Sequence, residues 1–393
     1  MFWEKEGKLI YSYDGETVCI EAWGKDALRV RATKNRSFTG RDWALEAKDA
    51  HAGEVEIFED PSAKGGAFAN MYEGTDTSYG KITNGKLHAV IDSGSVITFY
   101  HEDGRVLLKE HFRRLRDEES MPLNIMGREY SNGVGDNFRI VARFVARKGE
   151  KIFGMGQYQQ HELDLKGCML ELAQRNSQVS VPFYLSSIGY GFLWNNPGVG
   201  QVMFANNGTE WVTESGKEID YLVIAGDTPA EIEENYMTLT GKPPMMPEYG
   251  MGFWQCKLRY WNQEQLLSVA RKYKELGVPL DVIVVDFFHW TKQGEFKFDP
   301  KYWPDVPGMC RELKEMGIQV VVSVWPTVDI YSENFEEMKE KGYLVRTEHG
   351  VPLTMLCGGN EVFFDAGKNQ EKLLRSGCQA LLAGCGRAGI QRL

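Results

Sequence analysis

From Tyr249 onward the chain reads as strand–helix units of the kind that build a parallel barrel, and the pattern runs for roughly three units. Such a barrel closes on eight strands and takes its functional groups from the C-terminal ends of several of them. The last stretch, Cys378–Leu393 (CQALLAGCGRAGIQRL), carries no completed fourth unit. The sequence therefore predicts that this chain holds only part of the site that its fold is built to carry.

The period is read from the spacing of apolar residues. A strand is expected at 250–255, then a helix from Asn262, whose side chain caps it with Gln265 at the third helical position. Leu266, Val269, Ala270, Tyr273 and Leu276 form one apolar face, closed by Gly277. Val282–Val285 is continuously apolar, as strands buried on both faces of a parallel sheet are. A second helix follows Pro307, turns Leu313 and Met316 inward and stops at Gly317. The next strand, Val320–Trp325, ends at Pro326, and a third helix carries Phe335 and Met338 and stops at Gly342. An open doubly wound sheet is the alternative architecture. No G-x-G-x-x-G follows these strands and no G-x-x-x-x-G-K-S/T loop occurs, so Gly65-Gly66 and Gly358-Gly359 read as turns.

Residues 1 to about 230 alternate instead with a period of two, as at Ile10–Tyr13, Thr17–Ile20, Leu28–Arg31, Gly53–Ile57, Val96–Tyr100 and Phe138–Phe144. Turns such as Tyr13–Glu16 and His101–Gly104 separate them, which predicts an antiparallel β-sandwich. Ser180–Phe204 is richer in apolar and aromatic residues and suits central strands, or strands facing a second domain. Thr228-Pro229-Ala230-Glu231 opens a capped helix through Ile232, Tyr236 and Leu239, and Gly241-Lys242-Pro243-Pro244 breaks it. The expected division is a sandwich over 1–240, part of a (β/α)₈ barrel over 241–377, and an aberrant tail over 378–393.

A net charge of -10 argues against a nucleic-acid surface. No run of 18 apolar residues is present to span a bilayer, and the start MFWEKEGKLIYSYDGE is too polar for a secretory signal. A cytoplasmic protein without membrane partners is expected, in which the sequons at Asn35 and Asn207 carry no meaning; a homo-oligomer stays open. The seven cysteines lack ligand spacing and the seven histidines form no H-x-x-H or H-x-x-x-H pair, so no metal or other cofactor is indicated.

The sharpest local signal is Val285-Asp286-Phe287-Phe288-His289-Trp290. Asp286 follows a buried strand directly and so belongs to the functional rim of a barrel. The loop after it is dense in rings: Phe287, Phe288, Trp290, Phe296, Phe298, Tyr302 and Trp303. Flat apolar faces beside a carboxylate suit a sugar, whose C–H face stacks while its hydroxyls need acceptors. Trp325 at the next strand end, with Pro326–Asp329, repeats the arrangement, and Trp254 and Gln255 precede Lys257, Arg259 and Tyr260 in the same way. The structural alternatives are an Asp286 that caps the loop or pairs with Lys292, and phenylalanines packed under the loop. Trp325 would then be ordinary rim packing, and His289 a hydrogen-bonded loop residue instead of a base. Asp365 reads as the cap of a following helix.

Several long stretches taken together resemble glycoside hydrolase family 31, in particular its bacterial α-xylosidase-like and α-glucosidase-like members. They are GQYQQHELDLKG (156–167), NSQVSVPFYLSSIGYGFLWNNPG (176–198), PEYGMGFWQCKLRYWNQ (247–263), VIVVDFFHWTKQGEFKFDPKYWPD (282–305), VVSVWPTVDIYSENFEEMKEKGYLVRT (321–347) and NEVFFDAG (360–367). The resemblance implies a galactose-mutarotase-like N-terminal β-sandwich, a (β/α)₈ catalytic domain, and hydrolysis of α-glycosides with retention. It implies that Asp286 binds hydroxyls of the sugar in the cleaved subsite, and that Phe287 or Phe288, and Trp325, line that pocket. The family's nucleophile lies in a K-x-D-x-x-E or D-E-x-E context after strand four and its acid/base after strand six. Neither motif occurs here, so no catalytic residue is assigned and the chain as it stands is expected to be inactive. The alternative is a non-catalytic carbohydrate-binding or structural remnant. The family pattern breaks after Gln370, as a shifted reading frame, a gene-calling error or a real truncation would each produce.

Overall fold

The computed structural model describes residues 1–46, 49–58, 78–111, 113–115, 123–175, 178–347, 350–355, 361–365 and 381–383. Two compact units form, Met1–Ala173 with Ser177–Pro243, and Gln174–Asn176 with Pro244–Leu393.

Alternation builds the first unit. In Leu87–Asp92, for example, Leu87, Ala89 and Ile91 are buried while the residues between them are not. A nine-stranded antiparallel sheet includes Glu16–Trp23, Ala27–Thr33 and Ile219–Ala225, and continues through Tyr190–Trp194 and Val179–Ser186. Two five-stranded antiparallel sheets accompany it, one containing Leu87–Asp92 and Ile97–His101, the other Phe138–Phe144 and Gly208–Gly216. A single core draws Ile20, Val30 and Tyr221 from the first sheet, Ile82 and Phe99 from the second, and Ile140, Phe204 and Trp211 from the third. The aromatic stretch Ser180–Phe204 thus supplies central strands: Tyr190–Trp194 is buried throughout. The helix Pro229–Thr240, capped by Thr228 accepting from the Glu231 N–H, lays Ile232 and Leu239 against Trp23, Phe183 and Leu222.

One buried cation joins the three sheets. The Arg128 guanidinium donates to Glu16 through Nε and Nη2 at 2.9 and 3.0 Å, to Glu110 through Nη1, and to the Ser95 carbonyl at 2.8 Å. Tyr130 donates to Glu16 at 2.8 Å and Tyr221 to Glu110 at 3.1 Å, which leaves both carboxylates well satisfied. A charge group of this kind survives burial because every member is hydrogen-bonded.

The second unit follows the other period. Its parallel strands lie in the order Trp254–Gln255, Val282–Val285, Gln319–Val324 and Leu381–Ala383. Ile283 and Val285 face Leu266, Ala270, Met309 and Leu313 of the covering helices, whereas Val282 and Val284 pack with Val321 and Tyr249 on the opposite face. The helix Gln263–Glu275 begins as expected: Asn262 Oδ1 accepts from the Gln265 N–H at 2.9 Å, and Gln265 Oε1 accepts from the Trp261 N–H at 2.7 Å. The helices Val306–Glu315 and Phe335–Glu340 bury Leu313 and Met338, and the stops Gly277, Gly317 and Gly342 all have positive φ, the conformation a helix C-terminus favours.

Two expectations are corrected. The first strand is only Trp254–Gln255, because Glu248–Met251 forms a 3₁₀ turn ahead of it. Leu276 does not join the apolar face; it is the helix C-cap and 62% exposed. Leu381–Ala383, inside the stretch expected to be an aberrant tail, pairs in parallel with Val322–Val324. The two glycine pairs and the helix expected after Asp365 lie outside the described residues. Among the described residues no helix is long and apolar enough to cross a membrane.

Replacing Arg128 by Met removes the cation and leaves Glu16 and Glu110 buried together. We expect a loss of roughly 3–5 kcal/mol in chemical denaturation of the first unit. A loss below about 1 kcal/mol would show that these carboxylates need no cation.

Candidate functional site

The rim at the strand ends is built from the middle strand outward. Val282–Val285 has parallel neighbours on both sides, Gln255 beside Ile283 and Val322 beside Val285. Asp286 is the first residue past this pairing, so its side chain is set by the strand and not by the loop. Its Oδ1 accepts the Phe287 N–H at 2.8 Å, and its Oδ2 lies 3.8 Å from the Cys256 thiol, which donates to it. The half-buried carboxylate has no cationic partner among the described residues. Lys292, the pairing candidate, donates instead to the Tyr331 carbonyl at 2.9 Å. Burial, and next the Asp286 charge, raise the Cys256 pKa above its ordinary value and keep the thiol a donor.

Aromatic rings gather at the same strand ends. Phe287 lies 5.6 Å from Trp325 and 4.4 Å from Phe288, so two strand ends share one ring cluster. Phe288 is 56% exposed and holds φ of 63°, a left-handed conformation that costs a bulky residue about 1–2 kcal/mol. Packing under the loop therefore does not describe Phe288, whose side chain is exposed. Strain of this kind persists where the surrounding structure imposes it, and it clusters at functional positions.

His289 takes the structural role. It is buried, and its Nδ1–H donates to the Asp286 carbonyl at 3.0 Å, which closes the first turn of the loop. Its ring meets Trp290 at 4.6 Å and Phe298 at 4.8 Å, and this desolvation lowers its pKa to about 4. A buried imidazole whose pKa is lowered to about 4 is a weak proton acceptor at neutral pH.

The remainder of the loop is bound to the segment after the third strand. Asp329 N–H donates to the Gln293 carbonyl at 3.1 Å, and Asn334 Nδ2 to the Gly294 carbonyl at 2.7 Å. Gly294 has φ of 82°, and a Cβ there would come within 2.8 Å of the Val328 backbone, so only glycine fits. Thr327–Asp329 also pairs with Glu361–Phe363, and Asp365 N–H donates to the Tyr343 carbonyl at 2.8 Å.

At the first strand end, Trp254 and Gln255 are engaged in the structure. Trp254 Nε1 donates to the Gly250 carbonyl, and Gln255 Oε1 accepts from Tyr273 at 2.7 Å. Of two further residues near this end, Arg259 was named from the sequence and Cys256 was not. Cys256 touches Asp286, and Arg259 lies with its guanidinium carbon 3.7 Å from the Trp261 ring centre and 5.1 Å from that of Phe288. The cluster sequence Gln255-Cys256-Lys257-Leu258-Arg259 follows a strand end, which was the available signal for both. Among the described residues no three His, Cys, Asp or Glu side chains are grouped as a metal site requires.

Residues 243–377 match the glycosyl hydrolase family 31 TIM-barrel domain, and residues 17–202 match the family's N-terminal galactose mutarotase-like domain. A family 31 glucosidase of Pseudescherichia vulneris, itself uncharacterized, is 42% identical over 374 residues, covering 92% of this chain and 67% of that protein. An alpha-xylosidase of Saccharolobus solfataricus is 36% identical over 219 residues, covering 53% of this chain and 30% of that enzyme. The crystal structure of a family 31 alpha-xylosidase from a soil metagenome, complexed with xylose, has a TM-score of 0.84 and 44% identity. That match covers 98% of this chain and 57% of that one. The matches thus span between 30% and 67% of the length of these relatives.

The His289 environment yields a pH test. Its folded pKa of about 4 lies below the ordinary value of 6.5, so the stability held by the neutral ring is present above 6.5. It is lost as the pH falls from 6.5 toward 4, on the order of 2 kcal/mol between pH 7.5 and pH 5. Denaturation of the chain across this range should show that loss, and His289→Asn should reduce it. Parallel pH profiles for the two proteins would remove His289 as its source.

Proposed function

The chain belongs to glycosyl hydrolase family 31, and from that membership we propose that its second unit supplies the sugar-holding side of a pocket for one non-reducing α-linked xylose or glucose. The observation that carries the reading is the Asp286 carboxylate, unpaired by any cation among the described residues, at a strand end whose next residues, Phe287 and Phe288, form a ring cluster with Trp325 of the adjacent end. A carboxylate accepts two hydroxyls of a pyranose at once, and charge-assisted bonds of this type are about twice as strong as neutral ones. The rings take the sugar's C–H face. Cys256 and the Phe287 N–H orient the carboxylate without neutralising it, which leaves acceptor positions for hydroxyls.

In this proposal the reaction is hydrolysis with retention. One carboxylate attacks the anomeric carbon while another protonates the departing oxygen, the pair standing roughly 5–5.5 Å apart. Asp286 does neither: it holds the sugar that the reaction cleaves. A further carboxylate after the third strand, Asp329, accepts the Tyr331 N–H through Oδ1 at 2.7 Å. We therefore assign no nucleophile or acid/base to the 393 residues, and propose that this chain binds sugar without turning it over. The choice between xylose and glucose rests on one CH₂OH, a difference pockets resolve by about 10–200-fold. The xylose complex of the 44%-identical relative favours xylose.

Calorimetric titration tests the pocket. Xylose and glucose should bind this chain, and Asp286→Ala should weaken both by roughly 10–100-fold, the worth of a lost charge-assisted hydrogen bond. Equal affinity in that variant would return Asp286 to a loop-capping role. Incubation with aryl α-xyloside and aryl α-glucoside should release no phenol above background. Turnover abolished by Trp325→Ala would overturn the non-catalytic assignment, and cleavage of β-linked substrates in preference would overturn the α-glycoside reading.

A further inference from the structure

In the first unit, one turn carries a side chain that its own backbone disfavours. Trp43 has φ of 54° and is 44% exposed. It is the second residue of the turn Asp42–Leu45, which the Leu45 N–H closes by donating to the Asp42 carbonyl at 3.0 Å. A turn position with positive φ favours glycine, and a bulky side chain there is strained. Buried groups keep the turn from relaxing. Arg29 donates through Nη1 to Asp42 Oδ1 at 2.8 Å and through Nη2 to the Arg41 carbonyl at 2.9 Å. Asn195 donates to the Asp42 carbonyl at 3.1 Å and accepts the Ala44 N–H at 3.3 Å. Glu218 accepts both the N–H and the hydroxyl of Thr39, at 2.9 and 2.8 Å. Interior polar groups thus fix an indole that stands partly in solvent, and strain retained in this way clusters at functional positions.

Arg41 completes the arrangement, with its guanidinium carbon 5.3 Å from the centre of the Trp43 ring. Among the described residues that guanidinium makes no hydrogen bond or ion pair, and no second ring meets Trp43. The surrounding stretch is locally basic in a chain of net charge -10. Residues 34–43 hold three exposed cations, Lys34, Arg36 and Arg41, against one acid, Asp42, which is paired with Arg29. An indole face takes the C–H face of a pyranose, and an unspent guanidinium pairs with a carboxylate through two parallel bonds. We propose that Trp43 and Arg41 form a surface site for a uronic acid residue of an acidic oligosaccharide. The sugar ring stacks on the indole, and its carboxylate takes the guanidinium donors that the fold leaves unused. Because the turn is already fixed, binding orders little more than the Arg41 side chain. The site uses no residue of the second unit and does not rest on the pocket at Asp286.

The Trp43 indole N–H provides a local readout by nuclear magnetic resonance, its signal being the one lost in Trp43→Phe. The 393-residue chain is titrated with methyl β-glucuronide and with methyl β-glucoside, which has the same ring without the carboxylate. The glucuronide should move the Trp43 signal to saturation at millimolar concentration, and the glucoside should bind about tenfold more weakly. Arg41→Gln should erase that preference and Arg41→Lys should keep about threefold of it. Salt should reduce it, since an exposed ion pair is screened. A Trp43 signal that the glucuronide leaves in place, equal affinities for the two sugars in the unaltered chain, or a tenfold preference that survives Arg41→Gln overturns the site. An equal movement with sodium acetate does so too, because the guanidinium would then hold any small anion and the ring would recognise no sugar.

Discussion

The second unit depends on the pairing of Val282–Val285, a strand with parallel neighbours on both sides and apolar contacts on both faces. Burial of this kind fixes the register, since a slip of one residue would exchange every side chain between the helix-covered face and the opposite one. The register in turn decides that Asp286 is the first group beyond the pairing and that Trp325 follows Val324 at the adjacent end. The side chains at the rim are therefore positioned by aliphatic residues packed beneath them. A Val-to-polar change within the strand would displace the carboxylate more surely than most changes in the loop.

Backbone amides and carbonyls then set which rim groups stay free. Trp254 and Gln255 are consumed by Gly250 and Tyr273, and His289 by the carbonyl of Asp286. The Asp286 carboxylate, Phe288, Arg259 and Trp261 are left with unfilled capacity.

Much of this order was legible in the residues. Asn262 and Gln265 announced a helix start, and Gly277, Gly317 and Gly342 its counterparts at the other ends, because capping is a local interaction with a fixed spacing. The site carboxylate was legible because a continuous apolar strand ends immediately before it. What stayed hidden depends on tertiary neighbours. The 3₁₀ turn at Glu248–Met251 shortens the first strand although its residues suit a strand, and Leu276 lies exposed because the helix ends before its face returns to the core. Leu381–Ala383 is too short to carry a period at all; its assignment as a strand comes from the edge of Gln319–Val324 that it pairs with. The contacts of Cys256 with Asp286 and of Arg259 with Phe288 join positions about thirty residues apart, and no local pattern contains that information.

The attachment of the long loop after Asp286 to the segment after Trp325 has a consequence for protein engineering. Gly294 can sit where it does only because Val328 leaves no room for a side chain, and Asn334 and Asp329 hold the neighbouring backbone. The loop is consequently half of a composite part whose other half is encoded some thirty residues later. Loop exchange between homologous barrels, a common route to altered specificity, would carry the shape across only as a two-segment transplant. A donor loop with any side chain at the Gly294 position would be rejected by the recipient's own valine.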